Sequence, residues 1–183
     1  MTMKKVLFAS FLLFSSYAMN AQILQSQWMI GGNAAFDYQK QGDAKATTIM
    51  VSPNAGYFFI NNLAGGLRVN FWTNKVKGAD ESSTFFSVAP FARYYFLPAA
   101  QKINVFADAA YGFGSGGYKD KESLNELSIM AGPAIFLSSN TALELALYYK
   151  SYGGKYYENL AGDKENHFGL SIGLQVHLGP CKK

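Results

Sequence analysis

The sequence predicts an all-β chain, with eight antiparallel strands closed in up-and-down order into a barrel. Three observations carry this. Apolar and mixed positions alternate through eight segments. All seven charges inside those segments fall on the same parity. The connections between them alternate short and long. A strand sends successive side chains to opposite faces, so a period of two is a β signal.

The first segment, 28–38, sets Trp28 and Ile30 against Asp37. The second, 46–59, separates Ile49 and Val51 from Ser52 and Asn54. In the third, 63–73, Leu67, Val69 and Phe71 oppose Arg68, Asn70 and Trp72. The fourth, 84–96, opposes Val88 to Arg93, and the fifth, 103–114, opposes Val105 to Asp108. In the sixth, 125–137, Ile129 and Ile135 oppose Glu126. The seventh, 142–152, sets Leu143, Leu145 and Leu147 against Glu144 and Lys150. The eighth, 167–178, runs Leu170, Ile172, Leu174 and Val176 on one parity, with His167 and His177 on the other. No helical apolar period appears anywhere in the mature chain.

The connections at 60–62, 97–102 and 138–141 are short. Those at 39–45, 74–83, 115–124 and 153–166 are longer and hydrophilic. Short turns at one end and long loops at the other are the layout of an outer-membrane barrel, and an even strand count puts both termini on the short-turn, periplasmic side. Pro53, Pro90 and Pro133 recur in alternate strands, 37 and 43 residues apart, so the chain is built of equivalent two-strand units. Proline removes a ladder donor, so the recurrence predicts a shared bulge or local ladder defect on the apolar parity.

Aromatic residues gather at the strand ends. Phe58, Phe59, Tyr94, Tyr95, Phe96 and Phe136 lie near the short turns. Tyr38, Phe71, Trp72, Tyr111, Phe113, Tyr148, Tyr149 and Phe168 lie near the long loops. Both bands read as interfacial girdles.

Alternation alone leaves open which face is outside, and composition decides it. Charge occupies roughly one position in six of the mixed parity, against the 25–35% of a soluble surface. The remainder of that face is largely Gly, Ala, Ser and Asn with bulky aromatics, which suits a packed interior. The other parity suits lipid. The fold class is therefore an eight-stranded antiparallel up-and-down transmembrane β-barrel, closed because backbone groups in lipid must all be paired.

The N-terminus fits this destination. Lys4 and Lys5 precede an apolar run from Val6 to Phe14 and a small-residue exit at Ala21. That is the pattern of a signal peptide over residues 1–21, with cleavage after Ala18 as the alternative. The run is too short to span a bilayer as a helix. Residues 22–183 then form one domain. Its single cysteine, Cys181, permits no internal disulfide, so sheet closure and lipid burial must hold it. Losing Lys4 and Lys5 takes the formal charge from +4 to +2, and the loop charges cancel. No clustered basic face remains for nucleic acid.

At this point the chain resembles the small outer-membrane β-barrel proteins of the OmpX/OmpA transmembrane-domain type, especially the forms common in Bacteroidetes. The resemblance rests on Trp28-Met-Ile-Gly-Gly-Asn-Ala-Ala-Phe, Ser52-Pro-Asn-Ala-Gly-Tyr-Phe and Pro90-Phe-Ala-Arg-Tyr-Tyr-Phe. It implies an exported protein of the bacterial cell outer membrane, in contact with outer-membrane lipid and lipopolysaccharide. It implies no cofactor, no catalytic residues and a monomeric state. One departure is the C-terminus. Such barrels usually end on an aromatic residue, whereas this strand closes on His177-Leu178 with five residues beyond.

Eight strands leave an interior just wide enough for side chains to fill. Arg68 and Asp108 lie near mid-strand, with Arg93 and Glu144 about a turn nearer the periplasmic end. Buried charges are costly unless paired, so these four are expected to form a lumenal Arg–carboxylate network with a structural role. Activity beyond that is expected in the surface loops, the longest of which carries Tyr156 and Tyr157, a candidate partner contact, although two tyrosines beside a strand end are more often girdle or loop packing.

Two alternatives stand beside this reading. A lipid A-modifying enzyme would draw on His167, Ser171 and Glu126 near the loop end. However, no His-x-Ser spacing occurs, and a nucleophile needs its base within hydrogen-bond reach. A soluble lipocalin-like barrel would reverse the faces. His167 and His177 stand at opposite ends of one strand, too far apart to share a metal ion. The glycines from Gly112 to Gly117 lack the strand–loop–helix context of a phosphate loop.

Overall fold

The computed structural model describes residues 23–41, 44–76, 82–98, 101–117, 121–161 and 164–179. The leader assigned to residues 1–21, the loop tips around 42–43, 77–81 and 118–120, and Cys181 lie outside them.

Eight strands follow one another: β1 (Trp28–Gln41), β2 (Ala44–Ile60), β3 (Leu63–Val76), β4 (Ser83–Tyr95), β5 (Ile103–Gly117), β6 (Glu122–Phe136), β7 (Thr141–Gly153) and β8 (Glu165–Leu178). Each pairs antiparallel with its neighbour, and β1 pairs with β8 to close the barrel. Most strands run past the apolar pattern at their loop ends, because ladder hydrogen bonds need no apolar side chains. A strand of 14 residues, at about 3.3 Å per residue and tilted about 40°, spans roughly 35 Å along the axis, more than the ~25 Å apolar band of a membrane barrel.

The two faces separate cleanly. Arg68, Arg93, Asp108, Glu126, Glu144 and Lys150 are buried inside, and Asp37 is half-buried near the loop end. Outside, Ile30, Ile49, Val51, Leu67, Val105, Ile129, Leu147, Leu170, Ile172 and Leu174 are exposed. A folded chain in water does not present a continuous apolar belt of this kind.

The prolines explain themselves in the register. Pro53 faces Gly32 of β1, yet neither Ser52 nor Pro53 is bridged to β3, and pairing resumes at Asn54↔Arg68. Pro90 pairs to Leu67 but leaves a gap toward β5 between Val88↔Phe113 and Phe91↔Ala110. Pro133 pairs to Val105 but leaves the same gap toward β7. The register is identical on either side of each gap. These are interruptions of the ladder caused by the missing N–H, without an inserted residue.

Within the Pro133 gap, Gly132 faces the β7 backbone so closely that a Cβ there would collide with the Leu145 carbonyl oxygen. A glycine is therefore required where the two strands approach. Asn62, in the left-handed region at φ 70°, turns β2 into β3. Residues 23–27 pack against the end of β2 and the turn after it, with Ser26 N–H donating to the Phe58 carbonyl (2.9 Å) and Ile23 fully buried.

Candidate functional site

The interior is built in three layers. At the short-turn end, Phe58, Tyr95, Phe106, Phe136 and His177 pack with Met29 and Ile23. His177 makes edge contacts to Phe58 and Tyr95 at 5.5 and 5.9 Å. This layer is a floor.

Above it lie two ionic clusters. Arg68 Nη2 donates to Asp108 Oδ2 at 2.8 Å, and Arg93 Nε donates to the same oxygen at 3.0 Å. Arg93 Nη1 reaches both Glu144 oxygens, at 2.7 and 2.8 Å, and Tyr95 Oη donates to Glu144 at 3.0 Å. Both guanidinium groups also lie over rings, Arg68 over Phe91 at 5.0 Å and Arg93 over Phe106 at 4.5 Å. The barrel thus brings Arg68, Arg93, Asp108 and Glu144 into one chain of contacts. Arg93 and Asp108 face each other directly across β4 and β5, whereas Glu144 reaches Arg93 across the lumen.

The second cluster is Lys150, which donates to Glu126 at 2.8 Å, while Ser87 Oγ and Asn70 Nδ2 donate to the other Glu126 oxygen at 2.9 and 3.2 Å. Sequence reasoning placed Glu126 and Lys150 on this face but not together. Their parity was the available signal, and the cross-strand register that joins them was not.

The third layer is a cup at the loop end. After β7, Gly154 takes φ 98°, which turns the chain sharply into a short helix, α1 (Lys155–Ala161). The sequence reading has only a loop here, because seven residues are too few to show a helical period. The helix lowers Tyr157 into the barrel mouth, where it is 3% exposed. Of the tyrosine pair, Tyr157 is packed in the interior and Tyr156 is half-buried beside it. Burial also pushes the Tyr157 phenol above its ordinary range.

Five rings then touch in a closed circuit. Trp72 stacks on Phe85 at 5.1 Å and meets Tyr152 at 5.2 Å; Tyr152 stacks on Tyr157 at 5.5 Å; Tyr157 meets Tyr156 edge-on at 5.1 Å; and Tyr156 returns to Phe85 at 4.9 Å. The rings bound a cavity of about 230 Å³ that is also lined by Asp37, Glu165 and His167. The cup sits beside the seam, where β1–β8 pairing ends at Ala34↔Ile172 although both strands continue upward.

The enzyme alternative finds no support in this geometry. His167 contacts Glu165 at 2.9 Å, Glu126 is held by Lys150, and Ser171 lines a different, smaller void with Asn33, Met50 and Ser52. Among the described residues, no group of histidines, cysteines and carboxylates is placed to hold a metal. The girdle reading is corrected in part. Phe59, Tyr94, Phe96, Phe71, Tyr111, Phe113, Tyr149 and Phe168 are exposed outside, but Phe58, Tyr95, Phe136, Trp72 and Tyr148 are buried in the lumen. Height along the strand groups these residues, but parity separates them.

The backbone is similar to solved structures. Neisserial surface protein A matches with a TM-score of 0.65 at 18% identity, covering 81% of this chain and 96% of that one. The outer membrane protein OprG from Pseudomonas aeruginosa matches at 0.58 and 13% identity, covering 88% and 100%. The fold is that of a small outer-membrane β-barrel. The N-terminal β-barrel domain of Pseudomonas aeruginosa OprF matches at 0.50 and 12% identity, covering 84% and 98%. No protein-family model matches the chain, and no curated protein matches it by sequence.

Proposed function

We propose that this chain is an integral outer-membrane protein, a monomeric barrel with a plugged lumen that meets outer-membrane lipid and lipopolysaccharide on its outside and serves a structural or surface-interaction role through its loop end. One observation carries the reading. The exposed belt is apolar all the way round, while six charges, three of each sign, are buried inside and balance. Water outside would leave the belt solvated at a cost of about 25 cal/mol per Å², and it would gain nothing from the inward charges. Lipid outside removes the first cost and explains the second arrangement.

The floor and the ionic clusters occupy the lumen below the aromatic cup, which supports a plug rather than a pore. The four-residue network of Arg68, Arg93, Asp108 and Glu144 is the structural centre of that plug. Export would follow from the leader at residues 1–21.

The test is cell fractionation combined with electrophoresis. The protein is expected in the outer-membrane pellet, migrating faster unheated than boiled. Recovery in the soluble periplasm with no heat-dependent shift would overturn the reading.

A further inference from the structure

The seam that closes the barrel is incomplete toward the loop end, and the interior behind it holds unpaired polar atoms. Bridges between β1 and β8 end at Ala34↔Ile172, so residues 35–41 and 165–171 carry no bridge to each other. Phe36, Phe168 and Leu170, on these two stretches, are the most exposed large apolar side chains among the described residues. Just inside lies a small void lined by Asn33, Ser52, Arg68, Asn70, Lys150 and Ser171, with Ala34 and Ala35. Ala34 is exposed on the outer face, so the void reaches the outside at the last bridge. Six atoms on its wall have no hydrogen-bond partner among the described residues: Asn33 Nδ2 and Oδ1, Arg68 Nε and Nη1, Asn70 Oδ1 and Ser171 Oγ. All four of those residues are more than nine-tenths buried, where an unmade hydrogen bond is costly. Asn33 and Ala34 also line a second cavity, on the outside. It is an apolar groove of about 510 Å³ walled by Gly32, Val51, Pro53, Leu143, Ile172 and Leu174.

Each feature narrows the occupant. The outer groove has apolar walls on the belt, so it takes an alkyl chain. The void behind it holds about 10 Å³, room for one water-sized group. Carboxylate, sulfate and phosphate groups are larger than that. An anion would also unbalance the interior, where Arg68 is already paired with Asp108 and Lys150 with Glu126. The unpaired atoms include donors and acceptors, so the group that suits them must both donate and accept. A hydroxyl does so, with an O–H and two lone pairs on one oxygen.

We propose that the seam between β1 and β8 binds a single-chain lipid with an uncharged hydroxyl head. The hydroxyl enters beside Ala34 and Ser171 to meet Asn33, Arg68 and Asn70, and the alkyl chain lies in the outer groove against Gly32, Val51, Pro53, Ile172 and Leu174. The site rests on the reading that lipid surrounds the belt. It needs neither an open pore nor the loop-end cup.

The test uses the full barrel folded into phosphatidylcholine vesicles and a medium-chain primary alcohol carrying a mid-chain diazirine. Photolabelled peptides are read by mass spectrometry. Saturable labelling is expected within residues 31–36 and 170–174, displaced by decanol. Undecane, which has a methyl in place of the hydroxyl, and decyl sulfate are expected to displace it several-fold more weakly at equal mole fraction in the lipid. Ser171→Ala removes one partner of the hydroxyl and leaves the groove intact, since Ser171 is not among its walls. It is expected to weaken decanol several-fold and leave undecane unmoved, with the heat-dependent gel shift reporting that the variant is folded. Labelling no stronger on these segments than elsewhere would mean that the void holds water only. That result, equal displacement by undecane, or an unchanged decanol response in Ser171→Ala would each overturn the proposal. Outer-membrane location is read by fractionation, so failure here and failure of the membrane reading are distinguishable.

Discussion

Replacing Arg93 with leucine tests the buried network at its centre. Arg93 is fully buried and is the cation that touches both acids, Asp108 at 3.0 Å and Glu144 at 2.7 Å. The interior holds Arg68, Arg93 and Lys150 against Asp108, Glu126 and Glu144, so it is neutral as built. Arg93→Leu leaves one negative charge in excess. Asp108 keeps Arg68, but Glu144 is left with only the Tyr95 hydroxyl at 3.0 Å. Removing one partner of a buried pair costs about 3–5 kcal/mol, whereas replacing both by apolar groups is often close to neutral. Arg93→Leu should therefore lower unfolding stability by about 3–5 kcal/mol, and Arg93→Leu with Glu144→Leu should recover most of it. Arg68→Leu should cost less than Arg93→Leu, since Asp108 then keeps Arg93. The assay is reversible urea unfolding in lipid or detergent, followed by tryptophan emission. An Arg93→Leu barrel within about 1 kcal/mol of the parent, well below the expected range, would refute the reasoning. So would a double variant no better than the single.

Two further outcomes follow from the packing. In planar bilayers the reconstituted barrel should show no discrete channel steps, because the aromatic layer at the short-turn end and the ionic clusters above it occupy the lumen; regular unitary conductance would contradict the plug. Gly132→Val should sharply reduce folded yield, read as loss of the fast-migrating unheated band, because its Cβ has no room beside the Leu145 carbonyl. A Gly132→Val barrel that folds as well as the parent would show that the β6–β7 approach at Pro133 is looser than described.

Parity was legible in the sequence because the backbone imposes it. Every charge expected inside, from Arg68 to Lys150, follows from a period of two. The proline recurrence was legible as a defect, but the strand that loses its bridge was not, since that depends on which neighbour the missing N–H would have faced. Partner choice was harder. Arg93 and Asp108 oppose each other only because the β4–β5 turn sets that register, and Glu144 arrives from across the lumen. The girdle reading erred where height was weighed without parity, as with Tyr95 and Trp72. The cup was illegible because α1 is held by docking: Tyr157 is stacked on Tyr152, and nothing in seven residues of local sequence announces that.

The central claim is that lipid lies outside the apolar belt and the mixed face lies inside. Two tryptophans sit on opposite sides of that boundary, Trp28 at 55% exposure on the belt and Trp72 at 5% in the lumen. In vesicles containing brominated lipid, the Trp72→Phe protein, which retains Trp28, should be strongly quenched, and the Trp28→Phe protein, which retains Trp72, should be spared. Quenching of Trp72 with Trp28 untouched would mean that the faces are reversed, and the account would fail.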